Sequence, residues 1–100
     1  MSIKRLIRED TRRAILRALA LDRGYSLNHR ILVRVVEQTT AVTLSDDEMV
    51  AHLAWLEDQD AVATEVSPPY TLARLTDRGL QIAEGRLVID GVSRPPPGHV

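Results

Sequence analysis

The chain has 100 residues, 44% hydrophobic but only 3% aromatic, with no Phe and no Cys. That length makes one domain with a modest aliphatic core, and the missing thiols exclude disulfide staples and thiolate metal centres. A net charge of −1 hides a division: residues 1–36 hold nine Lys or Arg against three acids, while residues 37–70 hold eight acids and no Lys or Arg.

The spacing of Ile3, Ile7, Thr11, Ala14, Ala18 and Leu21 predicts a helix from Ser2 to about Leu21 with that stripe buried, and Gly24 follows as a stop signal. Arg5, Arg8 and Arg12 fall on the opposite side, either as a solvated cationic face or as phosphate contacts. Leu16 and Leu19 also fall there, so the second half of the helix is apolar nearly all round. Such a helix is expected to be buried twice, once in its own core and once against another surface.

A second helix is expected from Tyr25 to about Gln38 with Ser26 as N-cap, leaving Arg30, Arg34 and Glu37 as a narrow wet stripe. Its β-branched content also suits a strand, but polar residues every three to four positions favour helix. His29 reads as a surface or capping histidine. Thr39 to Leu44 reads as a loop or short extended piece.

Ser45 to Asp60, SDDEMVAHLAWLEDQD, reads as a third helix. Ser45 and Glu48 make a capping box, and Asp46 and Asp47 complement the positive end of the helix dipole. Met49, Val50, Leu53 and Leu56 share the face expected to be buried. Trp55 falls about 200° from Leu53 and so points outward, among Asp47, Glu48, Ala51 and Asp58. Its alternative place is a core position under the hairpin that follows.

Ala61–Val66 and Tyr70–Leu75 are β-prone, and Ser67, Pro68 and Pro69 turn between them, so a hairpin is expected with no Lys or Arg at its tip. Thr76 caps a last helix from Asp77 to Glu84, ended by Gly85. The remainder, RLVIDGVSRPPPGHV, is short and proline-rich. Its Arg94-Pro95-Pro96-Pro97 run favours an extended conformation, read as a loose terminus with a docking arm as the alternative. The expected division is therefore a domain over residues 1–85 and a tail over 86–100. Helices with a two-stranded hairpin in this order make an α+β, mostly α chain, a winged helix-turn-helix with a three-helix core.

Leu53-x-x-Leu56-Glu57, two strands, then Leu75-Thr76-x-x-Gly79 resemble the winged-helix regulators of the MarR and ArsR type, over most of residues 5–85. The resemblance implies DNA-associated regulation. Gln59-Asp60 departs from the glycine that usually leaves the third helix there, and Asp tolerates the same left-handed turn at some cost. The whole chain, including Asp90-Gly91-Val92-x-Arg94-Pro95, also resembles a small family of proteins from Mu-like phages and prophages.

Two functions follow. As a DNA binder the chain would use Arg5, Arg8, Arg12, Arg30 and Arg34 on phosphates, giving salt-sensitive, sequence-poor binding, because the third helix lacks the Arg, Lys, Asn or Gln that read base edges. As a protein-binding module it would use Glu48, Ala51 and Trp55, with Leu16 and Leu19 at the apolar centre of a homodimer. An enzyme is not expected: His29, His52 and His99 are scattered, and no glycine-rich phosphate loop or Ser-His-Asp motif is present. His52 reads as solvated and not as a metal ligand; no metal, cofactor or small-molecule substrate is expected. No apolar run approaches a membrane span, and the Arg-rich start is not a signal segment, so a cytoplasmic location is expected.

Overall fold

The structure is a computed structural model that describes residues 2–96. Its elements run α1 (Ile3–Leu21), β1 (Ser26–Asn28), α2 (His29–Thr40), α3 (Asp46–Asp58), β2 (Val62–Ser67), β3 (Tyr70–Leu75) and α4 (Asp77–Ala83). The three strands form one antiparallel sheet in the order β1-β3-β2.

The Ser2 hydroxyl caps α1 by accepting from the Arg5 amide. The buried face of α1 is Thr11, Arg12, Ile15, Leu16, Ala18 and Leu19; of the expected stripe it keeps only Thr11 and Ala18, while the ends Ile3 and Leu21 are 75% and 77% exposed. Burial area decides this. Ile15, Leu16 and Leu19 remove more apolar surface from water than Ala14 and Ala18 can. Leu16 and Leu19 therefore belong to the core at 0% exposure, and neither can centre a dimer.

The expected start of the second helix is also corrected. Ser26 to Asn28 pair with β3 (Ser26 opposite Arg74, Leu27 opposite Ala73, Asn28 opposite Leu72), and Asn28 replaces Ser26 as N-cap by accepting from the Ile31 amide. Asn caps as well as Ser, and the open edge of β3 supplies pairing that local periodicity cannot reveal. The helix then runs to Thr40 and ends on Ala41 in the left-handed region, φ 61°.

In α3 the capping box is complete, with Ser45 Oγ 3.1 Å from the Glu48 amide and Glu48 Oε1 3.0 Å from the Ser45 amide. Met49, Leu53 and Leu56 are fully buried, while Val50 is half-buried. Asp60 adopts the left-handed turn leaving the helix, φ 58°. In the hairpin Val62 pairs with Leu75 and Ser67 with Tyr70, leaving Pro68-Pro69 as its connection. The Thr76 hydroxyl caps α4 by accepting from Gly79.

Past Gly85 the chain does not hang loose. Val92 is 7% exposed within the core, Leu87 and Ile89 pack beside it, and the Ser93 amide donates to the Glu9 carbonyl at 3.3 Å. The expected loose tail is thus corrected for residues 86–96, because three aliphatic side chains find a hydrophobic surface left by the helices. Pro97 and His99 lie outside the described residues.

Candidate functional site

Two surfaces were expected to carry function, one basic and one acidic, and the fold treats their residues unequally. On α1 Arg5 is exposed with Nε 3.0 Å from Glu9 Oε2, a pairing one turn along the helix, and Arg8 is also exposed. Arg12 is not a phosphate ligand. It is buried, its guanidinium lies 3.8 Å from the centre of the Trp55 ring, and Nη1 donates to the Gly91 carbonyl at 3.1 Å. Desolvation and then the neighbouring Arg8 lower its pKa, leaving a guanidinium still charged in ordinary buffers.

On α2 Arg30 and Arg34 are exposed one turn apart. Arg30 Nε lies 3.5 Å from Asp46 Oδ2 at the start of α3, and its guanidinium sits 5.4 Å from the Tyr70 ring centre at the start of β3. His29 anchors this corner and is buried, against the expected surface position. Its Nδ1 accepts from the Thr71 amide at 3.0 Å, which leaves Nε2 to carry the proton 3.7 Å from Asp46 Oδ2. Helix α2, the turn end of the hairpin wing and the first turn of α3 are thereby fastened together. Sequence reasoning had no signal for His29, Asp46 and Tyr70 as a unit, since 17 and 41 residues separate them from His29.

The outward face of α3 exposes Asp46, Asp47, Glu48, Ala51, Ala54, Glu57 and Asp58, with no Lys or Arg on the helix. Two of these acids are held ionised by hydrogen bonds. The Ser45 amide and hydroxyl lower the Glu48 pKa, and the Thr64 amide and hydroxyl lower that of Glu57. Glu57 thereby ties α3 to β2, with contacts of 2.9 and 2.8 Å.

Trp55 is not the exposed anchor expected of it. It is half-buried beneath Arg12, and Gly91 presses against its edge so closely that a Cβ there would lie 2.6 Å from Cζ2 and Cη2. Gly91 has φ 93°, open to glycine and strained for other residues. His52, expected to be solvated, lies one turn before Trp55 and is half-buried, with Nδ1 accepting from Arg12 Nε at 3.4 Å. The sequence signal for this assembly was Asp90-Gly91-Val92, a run that by itself marks only a family resemblance.

Desolvation, and then Arg12, lower the His52 pKa from 6.5. The neutral imidazole accepts from Arg12, whereas the protonated ring repels it. The stability this group contributes is therefore complete above its unfolded pKa and is lost as pH falls through its lower folded value. Acidification through and below pH of about 6.5 should red-shift Trp55 emission as the segment around Gly91 loosens from it, and His52→Gln should remove that component. An identical pH profile for the variant would refute the assignment to His52.

Among the described residues no group of three His, Cys, Asp or Glu side chains is placed to hold a metal, and no helix is long and apolar enough to cross a membrane.

Protein gp26 of Escherichia phage Mu is 34% identical over 95 residues, covering 95% of this chain and 97% of gp26. The chain belongs to the phage Mu gp26 family. A Haemophilus influenzae protein is similar to this gp26 homologue at 32% identity over 101 residues, covering 100% of the chain and 97% of that protein. No protein-family model matches the sequence. Among solved structures, F93 from STIV, a winged-helix DNA-binding protein, superposes with a TM-score of 0.56 at 20% identity, over 71% of this chain and 77% of F93. AF1382 from Archaeoglobus fulgidus superposes at 0.58 and 21% identity, over 82% and 85% of the two chains. These neighbours show that the gp26 homologue is a winged helix, without selecting the MarR or ArsR subtype.

Proposed function

We propose that this gp26 homologue is a phage or prophage regulator that associates with duplex DNA in the host cytoplasm through phosphate contacts, without reading bases through α3. The observation that carries this is the exposed pair Arg30 and Arg34 on α2, with Arg30 placed between the wing and α3 by Tyr70 and Asp46. Arg5 and Arg8 in the first turns of α1 add to the cationic set; Arg12 does not. The fold of F93, a DNA-binding protein, and the kinship with a phage Mu protein support the reading. The five exposed carboxylates of α3 oppose the phosphate field, so this helix stays out of the major groove.

Such binding is salt-dependent and nearly indifferent to sequence. In a fluorescence-anisotropy titration with generic duplex at low salt, the protein should respond below about 10 µM. Replacing Arg30 and Arg34 by Ala should reduce the salt slope by about 1.8, from about 0.9 per lost phosphate contact, equally on unrelated duplexes. Absence of any response at that concentration would retire the reading.

A second reading is favoured by the α3 face itself. Glu48 and Ala51 stand exposed on a helix surface with no cation of its own, which suits a basic protein partner. A regulator of either kind gains from pairing two copies, since a dimer doubles the contacts made. Leu16 and Leu19 cannot form that contact, being fully buried.

A further inference from the structure

Of the apolar stripe expected to be the inner side of α1, only Thr11 and Ala18 are buried; its two ends face outward, with a consequence for assembly beyond the DNA reading. Ile3, Leu6 and Ile7 are 75%, 40% and 45% exposed in the first two turns, and Leu21 is 77% exposed in the last. Between them the half-buried Ala14 and the buried Ala18 form the floor of the same side, where small side chains leave room. At 100° per residue these six positions fall within an arc of about 120°, so they form one face. Its two ends differ in shape. The N-terminal end presents three large aliphatic side chains. The C-terminal end is a groove of about 260 Å³ between α1 and α2, lined by Ala14, Ala18, Leu21 and Val35, with Arg13 and Arg17 also along it.

We propose that a second copy of this chain covers this face, with the two α1 helices packed antiparallel about a two-fold axis. The two ends of one helix are knob and hole for each other, and a two-fold axis brings each knob to the other copy's hole. Centring the pair near Arg12 sets residue 3 opposite residue 21, 6 opposite 18 and 10 opposite 14. Ile3, Leu6 and Ile7 then enter the groove at Ala14, Ala18 and Leu21 of the second copy, and the reciprocal insertion occurs at the other end. The same register sets the exposed Asp10 between Arg13 and Arg17 of the second copy, so charge favours the arrangement that shape requires. A parallel pairing would set knob on knob and leave both grooves empty. Arg5 and Arg8 lie on the far side of the helix from this stripe and remain open to solvent.

Sedimentation equilibrium of the full chain over a concentration series should give a dimer, and Ile7→Glu should halve the mass to the monomer's 11.2 kDa. Circular dichroism and melting of that variant should match the parent at low concentration, because Ile7 is exposed. The chain has no cysteine, so register can be read directly. Ile3→Cys mixed with Leu21→Cys should cross-link on oxidation. Neither alone should, because like positions would stand about 27 Å apart at 1.5 Å per residue. A monomer at every concentration, a dimer that survives Ile7→Glu, absence of the mixed cross-link or a self-cross-link of either variant would overturn the proposal.

Discussion

Gly79→Ala should lower the melting temperature by about 8–16 °C, corresponding to a net loss of about 2 kcal/mol in a domain of this size. The sign is not obvious beforehand. Alanine in place of glycine inside a helix ordinarily contributes about 1 kcal/mol of stability. Here the added Cβ would lie 2.0 Å from the Ala61 carbonyl oxygen, 2.9 Å from its carbon and 2.7 Å from Leu75 Cδ1. The nearest obstacle is backbone, already accepting from the Thr76 amide at 3.1 Å and the Thr76 hydroxyl at 3.0 Å. Helix α4 must therefore lift from the start of β2 and break those bonds, at a cost of about 3 kcal/mol, the upper end for overpacking. Thermal melting followed by circular dichroism decides the matter. An unchanged or raised melting temperature would show that the corner yields cheaply. The same contact explains why Leu75-Thr76-x-x-Gly79 carries a fold and not a function: the glycine lets α4 touch the turn out of α3.

Arg12→Ala should red-shift the emission of Trp55, the only tryptophan, and cost about 2 kcal/mol. The guanidinium covers the indole, donates to the Gly91 carbonyl and donates to His52, so one side chain holds α1, α3 and the segment after α4 together. A desolvated cation over an indole contributes about 2 kcal/mol, and hydrogen bonds from a charged donor add to it, offset in part by burial of the charge. Truncation after Gly85 removes the same contacts from the other side and exposes Val92's place in the core. If the three parts act as one unit, the two changes together should cost clearly less than their sum. Strict additivity, or an unshifted emission spectrum, would show that Arg12 is merely tolerated there. The comparison also separates this cation from Arg30 and Arg34, whose loss should alter salt-dependent DNA binding while leaving the fluorescence alone.

Much of the architecture was legible because its signals are local. The capping box at Ser45 and Glu48, the caps at Ser45 and Thr76, and the Ser67-Pro68-Pro69 turn each depend on neighbours within four residues. The left-handed Asp60 was legible for the same reason. Strand β1 was not. Three residues are too few for a period, and Ser26–Asn28 extends only because β3 presents an edge to it. The helical wheel of α1 showed two apolar faces but could not weigh them, since the choice depends on what α2, α3 and the last segment bring to each. The same limit misplaced Trp55 and Arg12. Each was assigned by its angle on its own helix, and each meets the other across forty-three residues of chain.

The amino-acid order alone determined a cysteine-free winged helix with an acidic third helix, because caps, turns, periodicity and charge are written within a few residues of one another. Tertiary structure decided which arginines remain available, which side of α1 faces outward and where the chain goes after Gly85. Those outcomes depend on side chains far apart competing for the same buried surface. Only the assembled fold ranks them, by the apolar area each can remove from water and by the partners each buried charge can find.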